Sequence, residues 1–242
     1  MKLTISVIIP TYNEEKGLEH MLIALKKAVP AGTQIIVTDD KSTDGTVAIA
    51  RKYADAVLVP ETKHPTIAAN RNAGAKVANS DFLLFIDADC YIADPANFFA
   101  KAMKHFDADP NLLALTSLIK VTPESETLSD KIAYLMFNAV RLFKNNLSKV
   151  GEASGEFQLV KKSAFDRING FREDLVTRED SDLFWRLSRI GRTYCDRNMV
   201  VYQTGRRGHA VGWIKLLSVW VLNAFWVMFF NKSFTNEWKA VR

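Results

Sequence analysis

From residue 4 onward, short apolar runs alternate with stretches whose apolar positions recur at helical spacing. Ile5 to Pro10 is an apolar, largely β-branched run, the pattern of a strand buried on both faces. Glu14 to Val29 carries Leu18, Leu22 and Leu25 three to four residues apart, which predicts an amphipathic helix. Gln34 to Thr38 reads as a second strand, and Ser42-Thr43-Asp44-Gly45 then turns the chain and caps a helix running to about Tyr53. Ala56 to Val59 is a third short strand, Thr66 to Ala78 a helix, and Phe82 to Ile86 a fourth strand. Such alternation marks βαβ units and predicts an α/β fold with a mostly parallel central sheet flanked by helices.

The second half is less regular. Leu112 to Val121 looks like a strand. Lys131 to Leu147 reads as an amphipathic basic helix with Leu135, Met136, Ala139, Val140 and Phe143. Gly151 to Gly155 is a loop, Thr177 to Ile190 a helix, and Trp213 to Phe230 a strongly apolar segment. With no internal repeat and no low-complexity linker, the organisation is one domain over residues 1–205, followed by a basic and apolar segment over 206–242.

Composition agrees. A chain of 242 residues, 48% hydrophobic and 24% charged, suits one ordered α/β domain with an appendage. A formal net charge of +5 fits an anionic ligand such as a diphosphate, or an anionic membrane surface. No helix-turn-helix, RNP-like or zinc-finger pattern occurs, so nucleic acid is not an expected partner. Cys90 and Cys195 form no CxxC pair and match no zinc-ligand spacing, which suits a reduced intracellular setting. Met1 to Ile5 leads straight into a strand-like run, so no secretory signal is expected.

The strand ends carry the chemistry. In open α/β sheets, ligands bind beyond the carboxyl ends of the strands. Thr11-Tyr12-Asn13, Asp39-Asp40 and Asp87-Ala88-Asp89 fall at three such ends. In extended backbone, Asp87 and Asp89 share a face while Ala88 points away. Their hard oxygens suit Mg²⁺ or Mn²⁺, with substrate phosphates filling other coordination positions. Alone, this pair reads more readily as a solvated strand terminus than as a metal site.

Taken together, Pro10-Thr11-Tyr12-Asn13-Glu14-Glu15, Asp39-Asp40-Lys41-Ser42-Thr43-Asp44-Gly45-Thr46, Arg71-Asn72-Ala73-Gly74 and Asp87-Ala88-Asp89 resemble family 2 glycosyltransferases of the Rossmann-like GT-A fold. The resemblance spans about residues 4 to 195. It implies an inverting transfer from a nucleoside-diphosphate sugar, with Mg or Mn as cofactor. The segment Pro10, Thr11, Tyr12, Asn13 and Glu14 would line the base and ribose pocket. Asp39 or Asp40 would accept hydrogen bonds from base or ribose, the other reading being an Asx turn or helix cap. Arg71 would hold the diphosphate. Asp87 and Ala88 would lie beside the donor, with Asp87 and Asp89 at the metal.

The resemblance also places an acidic pair, here Glu179 and Asp180, at the start of the helix after Thr177, with the aspartate as base. Such a base removes the acceptor hydroxyl proton as oxygen attacks the anomeric carbon. Thr177 and Asp180 also fit a capping box, and the two roles are compatible. Glu156 and Gln158 fall where the family forms its acceptor pocket. Many relatives carry a histidine metal ligand some twenty residues beyond the acidic pair; His209, which comes later here, is the candidate for that metal ligand, with Gln203 or water as the alternatives. Arg206 and Arg207 suit bidentate grip on phosphate, or a solvated or membrane-facing basic turn. His20, His64 and His105 show no partner pattern.

Leu216 to Phe230 contains no charge, and as a helix would span ~22 Å against a hydrocarbon core of ~30 Å. Trp213, Trp220 and Trp226 near Lys215 and Lys232 suit a membrane interface, against packing on the domain or in a homodimer. The expected setting is the cytoplasmic face of the cell membrane, with peripheral contact. The acceptor would be a glycan, a lipid-linked species or another hydroxyl compound. A polyprenyl-phosphate acceptor and a nonenzymatic nucleotide-sugar-binding membrane module are the rival readings. A nucleotidyltransferase would need a Gly-rich loop after the first strand, where this chain has Thr11-Tyr12-Asn13-Glu14-Glu15.

Overall fold

The computed structural model describes residues 4–61, 66–235 and 241, so His64 lies outside the described residues. The N-terminal half alternates β1 (Ile5–Thr11), α1 (Glu15–Ala28), β2 (Gln34–Asp39), α2 (Thr46–Tyr53), β3 (Ala56–Leu58), α3 (Ile67–Val77) and β4 (Phe82–Phe85). Next come β5 (Cys90–Tyr91), α4 (Pro95–Ala108), β6 (Leu112–Val121) and α5 (Leu128–Leu142), which runs into a π turn at Phe143–Leu147. The chain continues through β7 (Gln158–Lys161), α6 (Lys162–Arg167), α7 (Glu179–Ser188), β8 (Arg192–Gln203), α8 (Arg206–Val211) and α9 (Trp213–Phe230).

Among the described residues the strands form one sheet in the order β3-β2-β1-β4-β7-β6-β8-β5. The β3-to-β4 half is parallel, as is the β6–β8 pair, while β7 runs antiparallel to both neighbours and β5 antiparallel to β8. The core lies on both faces. Val7 and Ile9 of β1 join Leu18 and Leu22 of α1 in one layer, and Ile8 joins Phe85, Phe165 and Phe184 in the other. Gly74 lets α3 sit close on the sheet, since a Cβ there would lie 2.5 Å from Ile8 Cγ2. That approach brings Arg71, one turn earlier on α3, against the strand ends.

Two elements the periodicity reading passed over matter for the site. α4 is capped by Asp94, whose Oδ1 accepts from Asn97 N–H at 3.2 Å, and it buries Phe98, Phe99, Ala102 and Phe106. β8 pairs with β6 and, through Gln203 opposite Cys90, with β5, which brings the chain after β8 beside Asp89.

The capping-box expectation for the acidic helix fails. α7 starts at Glu179, preceded by Arg178 in left-handed backbone (φ 67°). Thr177 Oγ1 instead donates to Asn223 Oδ1 of α9 at 2.9 Å. The capping box sits on α5, between Thr127 and Asp130. α5 buries Asp130, Ala133, Tyr134, Asn138 and Arg141, and the apolar positions expected on this helix lie on its outer face.

Candidate active site

The turns after β1 and β2 are stitched together. Asn13, in left-handed backbone (φ 53°), accepts from Thr43 N–H through Oδ1 at 2.8 Å and donates its own N–H to Ser42 Oγ at 2.7 Å. Asp39 is 0% exposed; its carboxylate accepts from Ser42 N–H at 2.8 Å, Ser42 Oγ at 2.6 Å and Thr11 Oγ1 at 2.8 Å. Asn13 and Asp39 thus build the turn and do not line the cleft, whereas Asp40 does. Burial and the neighbouring Asp39 charge raise the Asp40 carboxyl above its ordinary range.

That cleft, about 1300 Å³, runs along the strand ends. One side carries Pro10, Thr11, Tyr12 and Glu14 from the end of β1 and its turn, with Asp87, Ala88 and Asp89 after β4. The same cleft is lined by Glu156, Glu179 and Asp180, and by Arg206 with Arg207 from α8. Gln158 and His209 do not line it. Gln158 is buried in β7 with its amide donating to Ser154 O at 3.1 Å, so it is not placed to meet an acceptor. His209 Nε2 sits 2.8 Å from Asp130 Oδ2, tying α8 to α5, so this nitrogen is engaged by a carboxylate other than Asp87 and Asp89. His105 is held by Asp196 at 2.8 Å.

Arg71 is the hub of the cleft floor. It is 1% exposed, and its two terminal nitrogens donate to Asp87 Oδ1 at 2.8 Å and Glu179 Oε1 at 2.9 Å. The guanidinium joins the end of β4 to the start of α7, while its Nε has no partner among the described residues. Gly155 fits over this pair: a Cβ there would fall 2.4 Å from Arg71 Nη2 and 2.6 Å from Asp87 Oδ2. Arg206 spans the far end. It donates to both Glu14 oxygens at 2.8 and 2.5 Å and lies 3.1 Å from Asp89 Oδ2.

The cleft holds more negative charge than these two arginines offset. Burial, with Asp87, Glu14 and Glu156 nearby, pushes the Asp89 carboxyl up to about 6 against the pull of Arg206. Burial and Asp87 raise Glu156. Burial and the adjoining Glu179 push Asp180 up to about 7. Its Oδ1 accepts from Ser181 N–H at 2.7 Å, and Ser181 Oγ in turn donates to Glu152 and Ala153 O. Among the described residues no compact cluster of three metal-ligating side chains is present. The excess charge around Asp87 and Asp89 is nonetheless of the kind a divalent cation relieves, and their hard oxygens suit it.

Sequence reasoning missed Arg141. It is buried on α5, donates to Ser154 Oγ at 2.6 Å and Asn138 Oδ1 at 3.0 Å, and supports the 152–156 loop along the cleft. Glu152 was missed as well; Lys144 and Arg178 lower its carboxyl despite burial. An arginine inside an apolar-basic helix was the available signal, but periodicity does not say which stripe faces inward.

Poly-beta-1,6-N-acetyl-D-glucosamine synthase from Staphylococcus epidermidis is 27% identical over 189 residues, which is 76% of this chain and 45% of that protein. Its Staphylococcus aureus counterpart is 26% identical over the same shares. The chain therefore spans under half the length of these relatives. Among solved structures, the mannosyltransferase PcManGT from Pyrobaculum calidifontis, in complex with GDP-Man and Mn²⁺, aligns with TM-score 0.69 at 22% identity, covering 84% of this chain and 57% of that one. S. aureus TarS 1-349 in complex with UDP-GlcNAc aligns with TM-score 0.66 at 24% identity, over 83% of this chain and 58% of that one. These likenesses show the fold, the GT-A arrangement expected from the strand-end motifs. The description Glycosyl transferase family 2 matches residues 6–168, a span that takes in the stitched turns, Arg71, the Asp87–Asp89 pair and the glycine loop over them, and the chain belongs to that family.

Proposed function

We propose that this chain is an inverting, metal-dependent glycosyltransferase that moves a sugar from a nucleoside-diphosphate sugar to a hydroxyl acceptor at the cytoplasmic membrane surface. One observation carries the reading. Groups for three tasks converge on one cleft: the Asp87–Asp89 oxygens, the Arg206–Arg207 pair, and the Asp180 carboxyl pushed up to about 7. A base is most effective when its pKa lies near working pH, and Asp180 meets that condition.

In this reading Tyr12, Glu14 and Asp40 receive the nucleoside. Arg206 and Arg207 face the diphosphate, and Arg206 exchanges Glu14 and Asp89 for phosphate oxygens. Arg71 acts on the donor by fixing Asp87 and Glu179. Asp87 and Asp89 would hold Mg²⁺ or Mn²⁺, which supplies charge neutralisation for the departing diphosphate. Asp180 takes the proton of the acceptor hydroxyl as that oxygen bonds to the anomeric carbon from the face opposite the diphosphate. The bond from that carbon to the diphosphate oxygen breaks, the leaving group keeps the electron pair, and the configuration inverts. The relatives' names, a glucosamine-polymer synthase and GDP-mannose and UDP-GlcNAc complexes, support nucleotide sugars as donors.

A thermal-shift comparison of UDP and GDP, with and without Mn²⁺, tests this proposal, because a ligand bound only by the native state raises Tm by mass action. One nucleotide is expected to stabilise the wild type in a metal-dependent way, and Asp89→Asn far less. Equal metal-dependent shifts in both proteins overturn the metal assignment.

A further inference from the structure

We propose that the outward faces of α5 and α9 form one platform that seats on an anionic lipid bilayer, and that the cleft receives a lipid-borne acceptor between them. The acceptor half rests on the glycosyltransferase reading above; the docking half does not.

The first observation is that α5 is built inside out. A surface helix in water turns its polar stripe outward and buries the apolar one. Here the polar stripe faces the domain and is used up there. Asn138 Oδ1 accepts from Ile119 N–H at 3.0 Å and its amide donates to Ile119 O at 2.8 Å, while Asn145 donates to Glu152 O at 2.7 Å. The outward stripe carries Leu128, Leu135 and Leu147, exposed by 73%, 70% and 74%, with Ile132 and Met136 between them. Apolar area of that extent facing water marks an interaction surface.

α9 continues the same face. Phe137 of α5 packs against Trp213 and Trp220 of α9, with ring centroids 6.1 and 5.2 Å apart. Over its 18 residues α9 has mean hydropathy 1.6 with only 11% of them buried, so it is not a core helix. Ile214, Val221, Met228 and Phe229 are exposed. The helix is nevertheless pinned along its length. Trp213 Nε1 donates to Asp130 Oδ1 at 2.7 Å, and Asn223 Oδ1 accepts from Thr177 Oγ1 at 2.9 Å and from Phe234 N–H at 3.0 Å. Held this way, α9 lies along the domain, the posture of an interfacial helix.

Charge selects the occupant. Residues 131–151 and 198–236 contain no Asp or Glu, in a chain with 27 acidic residues. The same stretches carry Lys149, Lys215 and Lys232, besides Lys131 and Lys144, which pair with Glu126 and Glu152. Two copies pairing through this face would oppose like charge to like, whereas anionic headgroups complement lysines flanking an apolar surface. The cleft meets this platform. Phe137 and Val140 of α5 and Leu217, Trp220 and Val221 of α9 line the same cleft as Asp180, so an acceptor reaching that carboxyl has apolar walls beside it.

The test is flotation of the chain with phosphatidylcholine vesicles, with and without phosphatidylglycerol. The wild type is expected to float with the anionic vesicles, with a blue shift of tryptophan emission, and more weakly with the zwitterionic ones. The double variant Leu135→Gln/Leu147→Gln alters two exposed side chains outside the cleft, and should lose more than about tenfold in partitioning with Tm unchanged. Wild type that stays unbound, or a variant that floats equally well, overturns docking. So does a wild-type dimer by light scattering that the variant turns monomeric, without vesicle binding. Nucleotide-induced Tm shifts on the same samples separate the two claims: an intact shift without flotation sinks docking alone, and flotation without any shift sinks the transferase reading and with it the acceptor half. With labelled donor, product extractable into organic solvent supports the lipid-borne acceptor, and wholly aqueous product overturns it.

Discussion

α1 and α5 are both amphipathic, and they face opposite ways. α1 buries Leu18, Met21, Leu22 and Leu25 against the sheet and turns Glu15, Lys26 and Lys27 to water. α5 buries Asp130, Asn138 and Arg141 beside Ala133 and Tyr134, and turns Ile132, Leu135 and Met136 outward. A hydrophobic stripe fixes which residues share a face, but not the medium which that face meets. α1 covers an apolar sheet layer, so its apolar stripe goes in. α5 lies over β6 and the 152–156 loop, where backbone groups and a charged cleft need partners, so its polar stripe goes in. The first half of the chain thereby supplies carboxylates on a conventional scaffold, and the second half supplies the acidic helix and its cover.

The sharpest way to break this division of labour is to remove the second half's contribution to the chemistry. Asp180→Asn should lower kcat by about 10²–10⁴, the usual worth of a general base, while nucleotide binding stays within about twofold. In the wild type kcat/KM should rise with pH and level off above about 7, where Asp180 is ionised in the free enzyme, and the variant should lose that limb. Stability should move the opposite way. A carboxyl whose folded pKa is raised adds stability that is present at low pH and lost as pH rises through about 7. Asp180→Asn should therefore melt a few degrees above wild type at pH 8, and the gap should narrow as pH falls below about 7 and close only at about 4, the ordinary aspartate value. A variant with unchanged kcat would leave the cleft without its base.

How much of this was legible follows the same boundary. The parallel strands, and polar clusters at three of their ends, two of them acidic, came from apolar runs that stop at Asp39, Asp87 and the Thr11 turn, because a strand buried on both faces reads the same way wherever it pairs. Which of Asp39 and Asp40 faces the cleft did not, since it depends on Ser42 folding back onto Asp39. α4 was readable from Asp94-Pro95 followed by Phe98, Phe99 and Phe106 and was passed over. β8 mixes Arg192, Asp196 and Arg197 with apolar positions and shifts register against β6, so simple alternation does not mark it. Thr177 answers to Asn223, 46 positions away, and a local capping rule has no access to that contact.

A second test strikes where the halves join. Arg71 is held between Asp87 of the first half and Glu179 of the second, with almost no exposure. Arg71→Met removes the cation and leaves two carboxylates facing each other in the cleft floor. Breaking a buried pair in this way costs about 3–5 kcal/mol, because the remaining charge is uncompensated. Urea denaturation should show that loss at pH 8. Asp87→Asn/Arg71→Met should regain part of it, since one of the stranded charges is then gone. A loss under about 1 kcal/mol for the single variant would mean that water already screens the pair and that the two halves are joined elsewhere.

The smallest expected effect is the most direct test of the contrast between α1 and α5. Leu22→Ala removes a side chain that is 0% exposed, and core truncations of this kind cost about 2–5 kcal/mol. Leu135→Ala removes a leucine that is 70% exposed on a helix of comparable length, where alanine is if anything the better helix former. In lipid-free buffer its denaturation midpoint should stay within about 0.5 kcal/mol of wild type, as for other surface positions. The two leucines occupy equivalent stripes on equivalent helices, so the difference between them measures what the stripe faces and nothing else. A loss at Leu135 approaching that at Leu22 would mean that the outer face of α5 is already covered in solution, and the inversion seen between the helices would then be a packing arrangement with the bilayer having no part in it.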